Sequence, residues 1–453
     1  CVLVDGINGY VIDLATNNLG IIIDPNFYGA DFVALLDTFF IFNNPLTNQF
    51  YISASNASYG MLTNGAIETG TIAGGALYTN GTYINVPLTG GTGSGATADI
   101  TVAGNAVTVV TIVEGGINYT VGNILSALAA DIGGTGAGFT YTITAMASAF
   151  DPLDIAAKSG FNDPIVGIVA IHRELWLIGA LTSEVWIGTG AADFYFQQQQ
   201  GAYINHGCAA QYSIATMDVL CFFIMQDQQG SGIVVQGQGY DITEISTPRI
   251  VSKIKSYANF TDSIGFCFQV DDHAFYALVF PTASKGWLYD ITTKMWNEWN
   301  WNDDNGNFLR PRPNCAMFVN GKNLGGDWEN GNLLEISGEF LTDNEDPIVR
   351  VRTFPHMTDG NDKISYNTFE VDMEVGTITD DSTPEISLSW SDDKGKTYGN
   401  PVTQSMGKLG EYLTVPSWNR LGMARDRIFK LSWSTANATA LNGGFVTFKK
   451  AYA

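Results

Sequence analysis

The sequence of 453 residues is 45% hydrophobic and 15% charged, a balance that predicts a large buried core and excludes a disordered chain. The net charge of -23 is unevenly distributed, because residues 1–157 hold 11 acidic residues and no Lys or Arg. This charge excludes nucleic-acid binding through basic side chains. Fifty glycines accompany many Asn, Thr, Ser and aromatic residues. Since Gly and Asn supply the positive φ of hairpin turns, this composition favours an all-β protein.

The amino-terminal stretch CVLVDGINGYVIDL, residues 1–14, has no basic residue before its apolar positions and does not fit a signal peptide. No apolar run in the chain approaches the roughly 18 residues of a membrane span. The cysteines are far apart and form no C-x-x-C pair, which fits isolated buried thiols in a reducing cytoplasm better than a zinc site. They are Cys1, Cys208, Cys221, Cys267 and Cys315.

Several segments repeat one pattern, in which an apolar or aromatic strand is followed by a polar turn and a second strand. Taking Trp176, Phe222, Tyr276 and Phe318 as equivalent points, the spacings are 46, 54 and 42 residues. A repeat of about 40 to 50 residues with several strands is the period of a β-propeller blade. The segments are 35–55, 174–187, 219–238, 274–299 and 315–337.

One segment of different character, residues 57–148, interrupts this repeat. It is dominated by Gly, Thr, Ala, Val and Ile, and its charges are Glu68, Asp99, Glu114 and Asp131. Removing its 92 residues would shorten the spacing from Phe39 to Trp176 from 137 to 45, which restores the blade period. We therefore expect a small β domain inserted in a loop of the propeller.

The carboxyl-terminal region from residue 345 alternates apolar and polar residues with a period of two, as half-buried antiparallel strands do. Between two such strands, the stretch SWSDDKGKTY contains Ser391, Asp393, Gly395, Thr397 and Tyr398. This spacing resembles the Asp-box hairpin found in sialidases and other β-propellers. Its residue types explain a turn, and none of them is a nucleophile.

A sialidase would need three arginines that converge on a carboxylate, a tyrosine nucleophile and an acid. The nine arginines all follow residue 172, and one Asp-box is present, so this alternative is weak. The arginines are Arg173, Arg249, Arg310, Arg312, Arg350, Arg352, Arg420, Arg425 and Arg427.

Two carboxylate pairs, Asp271/Asp272 and Asp303/Asp304, could be imagined as a glycosidase pair, but neighbours in a strand point to opposite faces and both pairs adjoin turn residues. Solvated loop acids explain them better. The histidines form no metal-ligand spacing; they are His172, His206, His273 and His356. A basic cluster, residues 419–430, is either a solvated strand face or a surface for an acidic neighbouring subunit.

Four long segments resemble the tail-hub, or nozzle, proteins of short-tailed bacteriophages, which are also called packaged-DNA stabilisation proteins. The resemblance covers most of residues 20–56 and 149–453 in order and stops at 57–148, a segment that looks like a Gly/Thr-rich β module of phage structural proteins. The segments begin with DPNFYGADF, FDPLDIAAKSGF, GAYINHGCAA and MGKLGEYLTV.

The resemblance implies a non-enzymatic structural subunit of the virion tail, made in the cytoplasm of a bacterial host. It implies a hexameric ring below the portal and adaptor rings, which extends the DNA channel and helps to retain the packaged genome. Tail spikes or fibres and a needle or plug are the implied partners. DNA would pass without sequence-specific binding, and no cofactor, catalytic residue or metal ligand is implied.

The sequence thus predicts a β-propeller platform (1–56 and 149–344), an inserted β domain (57–148) and a C-terminal antiparallel β region (345–453). Because DNA slides best past a wall that repels phosphate, we expect a net acidic channel. The insertion is expected on the outside of the ring, in contact with tail proteins or host glycans. The alternative function is a carbohydrate-binding or sialidase-like propeller.

Overall fold

Antiparallel strands form most of the regular structure in the computed structural model, as the all-β prediction requires. The structure describes residues 1–191, 193–226, 228, 230–303, 306–343, 346–360, 362–376 and 383–450. It divides into two compact units, Cys1–Gly265 and Phe266–Ala453. No helix among the described residues is long and apolar enough to cross a membrane.

The first unit opens with a three-stranded sheet, here called the N-terminal sheet, whose strands run in the order β1-β2-β3. The next three strands belong to a second sheet, sheet 1. Its hairpin β5–β6 is the first of the hairpins expected from the repeat, and Phe42 of β5 pairs with Tyr51 of β6. The strands are β1 (Val2–Val4), β2 (Gly9–Asp13), β3 (Asn18–Ile21), β4 (Val33–Leu36), β5 (Phe39–Asn43) and β6 (Gln49–Ile52).

The chain then leaves sheet 1 and builds two further sheets, β11-β10-β8 and β7-β13-β12-β9. Their shared core uses residues between Ile67 and Met146, among them Ile100, Leu125 and Phe139. The elements are α1 (Tyr59–Leu62), β7 (Ile67–Ala76), β8 (Gly81–Pro87), β9 (Thr89–Gly90), β10 (Ser94–Ala103), β11 (Ala106–Ile117), β12 (Ile124–Ser126), a 3-10 helix (Ala129–Ile132) and β13 (Ala137–Met146).

After this excursion the chain returns beside the point where it left. Strand β14 (Ile155–Ala157) pairs with β6 and places Ile155 opposite Tyr51, which gives sheet 1 the order β14-β6-β5-β4. The N–H of Ala54 donates to the carbonyl of Ala149 at 2.7 Å. An excursion that begins and ends between adjacent strands is the geometry that an insertion in a loop requires. The predicted boundaries at 57 and 148 stay a prediction.

Sheets 2 and 3 complete the first unit, with orders β15-β16-β17-β18 and β19-β21-β22-β23; β20 also pairs with β21. Sheet 2 packs on sheet 1 through Ile168 and Leu175, and on sheet 3 through Ile178. Because both its faces are covered, its central strands β15 and β16 read as nearly continuous apolar runs, whereas the outer strand β18 is FQQQQGAYI. The elements are β15 (Ile165–Ile171), β16 (Glu174–Gly179), β17 (Ser183–Gly188), β18 (Phe196–Ile204), β19 (Gly207–Cys208), a 3-10 helix (Gln211–Ser213), β20 (Ala215–Met217), β21 (Leu220–Gln226), β22 (Ser231–Gln238), β23 (Asp241–Glu244) and α2 (Pro248–Lys255).

The second unit begins with sheet 4 (β24-β25-β26-β27) and sheet 5 (β30-β31-β32), with short ribbons β28–β29 and β33–β34. Phe268 and Val279 of sheet 4 share a core with Ala316 and Ile336 of sheet 5. The strands are β24 (Ile264–Val270), β25 (His273–Phe280), β26 (Lys285–Asp290), β27 (Met295–Glu298), β28 (Trp301–Asn302), β29 (Phe308–Leu309), β30 (Pro313–Val319), β31 (Lys322–Asp327), β32 (Leu333–Ile336), β33 (Thr342–Asp343) and β34 (Asp346–Pro347).

Sheets 1 to 5 share a turn that the sequence pattern had not revealed. In sheets 1, 2, 4 and 5 the first and second strands are joined by a tight turn with positive φ, and in sheet 3 the same kind of turn joins β20 to β21. This conformation suits the twist of a hairpin. The turn residues with positive φ are Asp37 and Thr38, His172 and Arg173, Asp218, Asp271 and Asp272, and Asn320 and Gly321. By this marker Trp176, Phe222 and Tyr276 lie in second strands, whereas Phe318 lies in a first strand. The equivalence assumed for Phe318 was therefore wrong by one strand.

The rest of the second unit is two antiparallel sheets, β35-β42-β38-β39 with β36 on β42, and β40-β37-β41 with β43 on β37. Phe369 of one sheet and Phe429 of the other lie in one core, with ring centroids 4.8 Å apart. The strands are β35 (Val349–Thr353), β36 (Met357–Thr358), β37 (Ile364–Met373), β38 (Glu385–Ser391), β39 (Val402–Ser405), β40 (Ser417–Asn419), β41 (Met423–Ala424), β42 (Asp426–Ser434) and β43 (Leu441–Lys450). The predicted boundary at 344–345 lies outside the described residues.

Candidate functional site

The Asp-box stretch forms the turn between β38 and β39. Asp393 accepts hydrogen bonds from the backbone N–H groups of Lys396 and Thr397, both at 2.9 Å, and from Thr397 Oγ1 at 2.6 Å. Ser391 Oγ donates to Asp393 and accepts from the N–H of Gly395, whose φ is 84°. The hydroxyl and N–H of Thr397, and then Ser391, hold the pKa of Asp393 well below its usual value. The carboxylate therefore stabilises its own turn, as the residue types of the motif predicted.

Three residues of the two carboxylate pairs, Asp271, Asp272 and Asp303, also lie in turns. Asp271 and Asp272 form the exposed turn between β24 and β25. Asp303 accepts from the backbone N–H of Asn307 at 2.7 Å and from its side-chain amide at 2.8 Å. Asp304 lies outside the described residues. The geometry of the other three is that of turn residues with solvated or locally bonded carboxylates.

The histidines are scattered over different turns and strands. His172 lies in the turn between β15 and β16, and His206 lies between β18 and β19. His273 Nδ1 is 2.8 Å from an oxygen of Asp290, and His356 is bonded to Asp426. Over the described ranges, no group of three or more His, Cys, Asp or Glu residues could hold a metal ion.

The cysteines have no disulfide partner among the described residues. Cys208 and Cys221 are buried, as the sequence interpretation expected, and burial raises the pKa of Cys208 to about 11. Cys1 and Cys315 are exposed, so the expectation of buried thiols is wrong for these two.

Three arginines of the second unit are bound to neighbouring protein groups. Arg312 donates to Asp327, with Nη2 to Oδ2 at 2.7 Å, and Arg350 donates to the carbonyl of Thr435 at 3.0 Å. The guanidinium of Arg310 lies 3.9 Å from the ring centroid of Trp328. Arg312, Arg350 and Arg310 are thus held in place by their own neighbours instead of converging on one ligand carboxylate.

Two family models match the chain. The β-propeller model of bacteriophage P22 Gp10 matches residues 131–339, and the β-sandwich model of the same protein matches residues 350–449. Together they span sheets 2 to 5 and both sheets of the carboxyl-terminal region. The chain belongs to the bacteriophage P22 Gp10 family. The predicted β-propeller and the predicted carboxyl-terminal antiparallel region are confirmed, and the Gp10 family is one of phage tail structural proteins.

No curated protein matches this Gp10-family chain. Solved structures with some likeness include an exo-β-1,3-galactanase of Phanerochaete chrysosporium with galactose, which has 11% identity, a TM-score of 0.20, and coverage of 99% of this chain and 100% of that one. An arabinoxylan arabinofuranohydrolase of Bacillus subtilis has 10% identity, a TM-score of 0.19, and coverage of 99% and 95%. The dihydro-heme d1 dehydrogenase NirN has 9% identity, a TM-score of 0.23, and coverage of 93% and 80%. At such TM-scores these likenesses carry no argument.

In the β-sandwich of the Gp10-family chain, the basic cluster 419–430 is not one surface. Arg427 is 2% exposed and binds Asp392 through two nitrogens, at 2.6 and 2.7 Å. It also donates to the carbonyl of Leu421, and its guanidinium lies 4.7 Å from the centroid of the Tyr366 ring. Lys430 Nζ lies 4.2 Å from the ring centroid of Tyr398. Both expectations for the cluster are therefore wrong for Arg427, which is a core residue.

In the propeller region, a buried polar network lies beneath the turn between β16 and β17. Lys158 Nζ is 2.6 Å from Asp163 Oδ1, and the two side chains are 0% and 4% exposed. Lys158 also donates to the carbonyl of Thr182 at 2.8 Å, and Asp163 accepts from the N–H of Leu181 at 2.7 Å. The network ties the segment 158–163 to a distant hairpin, so local sequence patterns did not reveal it.

The N-terminal sheet presents an apolar face to solvent. Leu3 pairs with Tyr10 and Tyr10 with Ile21, while Ile12 pairs with Leu19, so all five side chains lie on one face. Leu3, Leu19 and Ile21 are 50%, 65% and 52% exposed. The opposite face, with Val2 and Val11, is buried in the core. Alternation in VLV and GYVID marks the strands, but which face is covered does not follow from the alternation.

Proposed function

We propose that the chain is the hub, or nozzle, subunit of a phage tail: a non-enzymatic ring protein of the virion. It extends the DNA channel below the portal and adaptor rings, helps to retain packaged DNA, and anchors spikes or fibres and a needle or plug. The observation that carries this proposal is the ordered match of both Gp10 models to one chain. The hexameric copy number rests on the resemblance to tail-hub proteins.

The apolar face of the N-terminal sheet supports assembly. Soluble monomers rarely leave a contiguous apolar patch of this kind in water, and such patches mark protein interfaces. Fully burying an exposed leucine or isoleucine contributes about 1.5 to 3 kcal/mol, and about half of this is still to be gained where the side chain is already half buried. Leu3, Leu19 and Ile21 would therefore stabilise a contact between subunits substantially.

The charge distribution supports passage of DNA. Residues 1–157 carry 11 of the 45 acidic residues and no Lys or Arg, and the whole chain has a net charge of -23. A wall of this charge repels phosphate and lets a duplex slide, whereas each basic contact would hold it back. We therefore keep the proposal that the channel surface of the ring is net acidic.

The double substitution Leu19→Asp with Ile21→Asp is expected to weaken assembly by more than about a hundredfold, because two apolar contacts are lost and two charges are desolvated. Mass photometry of the full chain, alone and with its portal and adaptor rings, measures this. The matched control is Leu46→Asp with Leu153→Asp, which places two charges on side chains that are 91% and 79% exposed in other turns. Equal assembly of the double variant and the control would show that this face is not an interface.

We further propose the domain division 1–56 with 149–344, 57–148 and 345–453, with the insertion on the outside of the ring. The structure suggests a sharper deletion than 57–148, because Leu62 is buried in the core of the N-terminal region. The N–H of Ala147 donates to the carbonyl of Ala66 at 2.9 Å, so these residues can be joined by a short glycine linker.

Deletion of residues 67–146 is expected to leave the platform folded and ring assembly intact, because these residues supply their own core. Hydrogen exchange at β16 and β21 and the mass of the assembly are the readouts. Loss of protection in β16 and β21 would place the segment within the platform core. Loss of assembly with protection retained would place it at the subunit interface.

A further inference from the structure

Seven Asn–Gly pairs occur in the sequence, and at such pairs an asparagine side chain can react with its own backbone. Asparagine is among the thermally labile residues, and glycine, which has no Cβ, leaves the backbone nitrogen that follows it open to rotation and contact. Asn305 lies outside the described residues. The other asparagines of these pairs are Asn8, Asn64, Asn80, Asn320, Asn330 and Asn442.

The reaction consists of two steps. The glycine nitrogen first forms a bond to Cγ of the asparagine, the bond from Cγ to the side-chain nitrogen breaks, and ammonia leaves with the proton of the glycine N–H. The product is a five-membered succinimide ring. Water then opens the ring at either carbonyl and gives aspartate or isoaspartate. Water is the only co-reactant, and nothing is oxidised or reduced.

Two of the six described pairs have a glycine nitrogen that is free to attack. The N–H groups of Gly321 and Gly331 have no hydrogen-bond acceptor within the part of the chain that the structure describes. The N–H of Gly65, in contrast, donates to the carbonyl of Gly60 at 2.7 Å. The remaining three glycines, Gly9, Gly81 and Gly443, are paired in the ladders of β2, β8 and β43.

The side-chain carbonyl of Asn330 is also polarised for attack. The N–H of Asn332 donates to Asn330 Oδ1 at 2.9 Å, and this bond folds the side chain over the following peptide bond as an Asx turn. Such a donor stabilises the negative charge that develops on the oxygen when nitrogen adds to Cγ. Asn320 receives no such bond over the described ranges. Asn80 accepts a backbone N–H at 2.8 Å, but Gly81 is held in a ladder.

The turn around Asn330 also leaves room for the reaction. Residues 328–332 join β31 to β32 and are exposed, and no atom lies within 4 Å of where a Cβ at Gly331 would be. The backbone of Gly331 can therefore rotate and meet water without moving a strand. Asn320 instead lies in a two-residue turn whose flanking residues, Val319 and Lys322, are paired with each other.

We propose that Asn330 is a self-modification site, at which the native fold directs spontaneous deamidation to aspartate and isoaspartate. The conversion adds a negative charge beside Asp327 and Glu329, the two carboxylates that bind Arg312. Isoaspartate also adds one atom to the backbone of the turn between β31 and β32. This inference stands on the turn alone and does not require the ring.

The test is peptide mapping by mass spectrometry after the full chain has been kept in mildly alkaline buffer made with oxygen-18 water. One sample stays native and a second is unfolded in urea. In the native chain, Asn330 is expected to lose ammonia and take up one labelled oxygen at least about tenfold faster than the asparagines of the other five described pairs. In urea only the shared Asn–Gly sequence remains, so the six rates should converge to within about threefold.

The urea sample is also the positive control. If Asn330 reacted in urea but no faster than the other described pairs in the native chain, the proposal would be overturned. Gly331→Ala is expected to slow the native reaction at Asn330 at least about tenfold, because the added methyl group restricts the attacking nitrogen.

Asn332→Pro and Asn332→Ala form a matched pair of variants. Both remove the same exposed side chain, but only proline removes the N–H that donates to Asn330 Oδ1. The rate at Asn330 should fall at least about threefold in Asn332→Pro relative to Asn332→Ala. Hydrogen exchange in β31 checks that both variants keep sheet 5. Equal rates in the two variants would contradict the role of this N–H.

Discussion

Lys158→Ala is expected to destabilise the first unit by about 3 to 5 kcal/mol, because it leaves Asp163 buried without its counter-ion. The ammonium and carboxylate are 2.6 Å apart and both side chains are buried. Urea unfolding and hydrogen exchange over residues 158–184 measure the loss. Lys158→Met keeps most of the side-chain volume and is expected to cost nearly as much, which separates the charge from packing.

The control for Lys158 is Arg173→Ala, which breaks an ion pair with Asp37 at 2.9 Å in the same unit. Arg173 is 82% exposed, so its loss should cost no more than about 1 kcal/mol. If Lys158→Ala cost no more than Arg173→Ala, the buried pair would not stabilise this region.

The same network gives a dependence on pH. Burial raises the pKa of Asp163. The N–H of Leu181, the Lys158 ammonium and Thr182 lower it by more than burial raises it, so the pKa of Asp163 lies below its usual value. A depressed folded pKa gives stability that is present above the unfolded value near 3.8 and is lost as pH falls through the folded value. Lys158→Ala removes one of the groups that lower the folded pKa of Asp163, so this acid-dependent loss of stability should become smaller in the variant. If the free energy of unfolding fell equally with decreasing pH in the variant and in the native chain, this expectation would be wrong.

Arg427→Ala is expected to destabilise the β-sandwich by about 3 kcal/mol, because a buried guanidinium that binds Asp392, the carbonyl of Leu421 and the Tyr366 ring is lost. Asp392 is 46% exposed and regains water, which keeps the cost at the lower end of the usual range. Hydrogen exchange in β37 and β42 of the full chain reports it.

Arg427→Lys should lose a smaller part of this stability, since an ammonium cannot form the two-pronged contact with Asp392. The control is Arg425→Ala, two residues away and exposed, which should change exchange in β37 and β42 little. If Arg425→Ala and Arg427→Ala changed hydrogen exchange equally, Arg427 would behave as a surface residue, as the sequence had indicated.

Features that depend on neighbours along the chain could be predicted from sequence. The hairpins at 174–187, 219–238 and 274–299 were found because strands buried on both faces leave long apolar runs. The Asp393 turn was found because its spacing of Ser, Asp, Gly and Thr places donors and acceptors within one loop. The excursion at 57–148 was found because it breaks a period.

Features that depend on distant pairing could not be predicted. Asp163 and Lys158 carry no local pattern that indicates burial, because β16 and β17 cover them only in the fold, and Arg427 read as a surface base until Tyr366 and Asp392 surround it. Phe318 was placed one strand out of phase because aromatic residues occur in first and second strands alike.

The most direct test of the account is an electron cryo-microscopy reconstruction of the native tail that contains this chain, viewed down its symmetry axis. The account predicts a closed ring of six copies whose bore is lined mainly by Asp and Glu, with the apolar face of the N-terminal sheet covered by a neighbouring subunit. A continuous belt of Lys and Arg around the bore, or a chain that stands alone with that face in water, would contradict it.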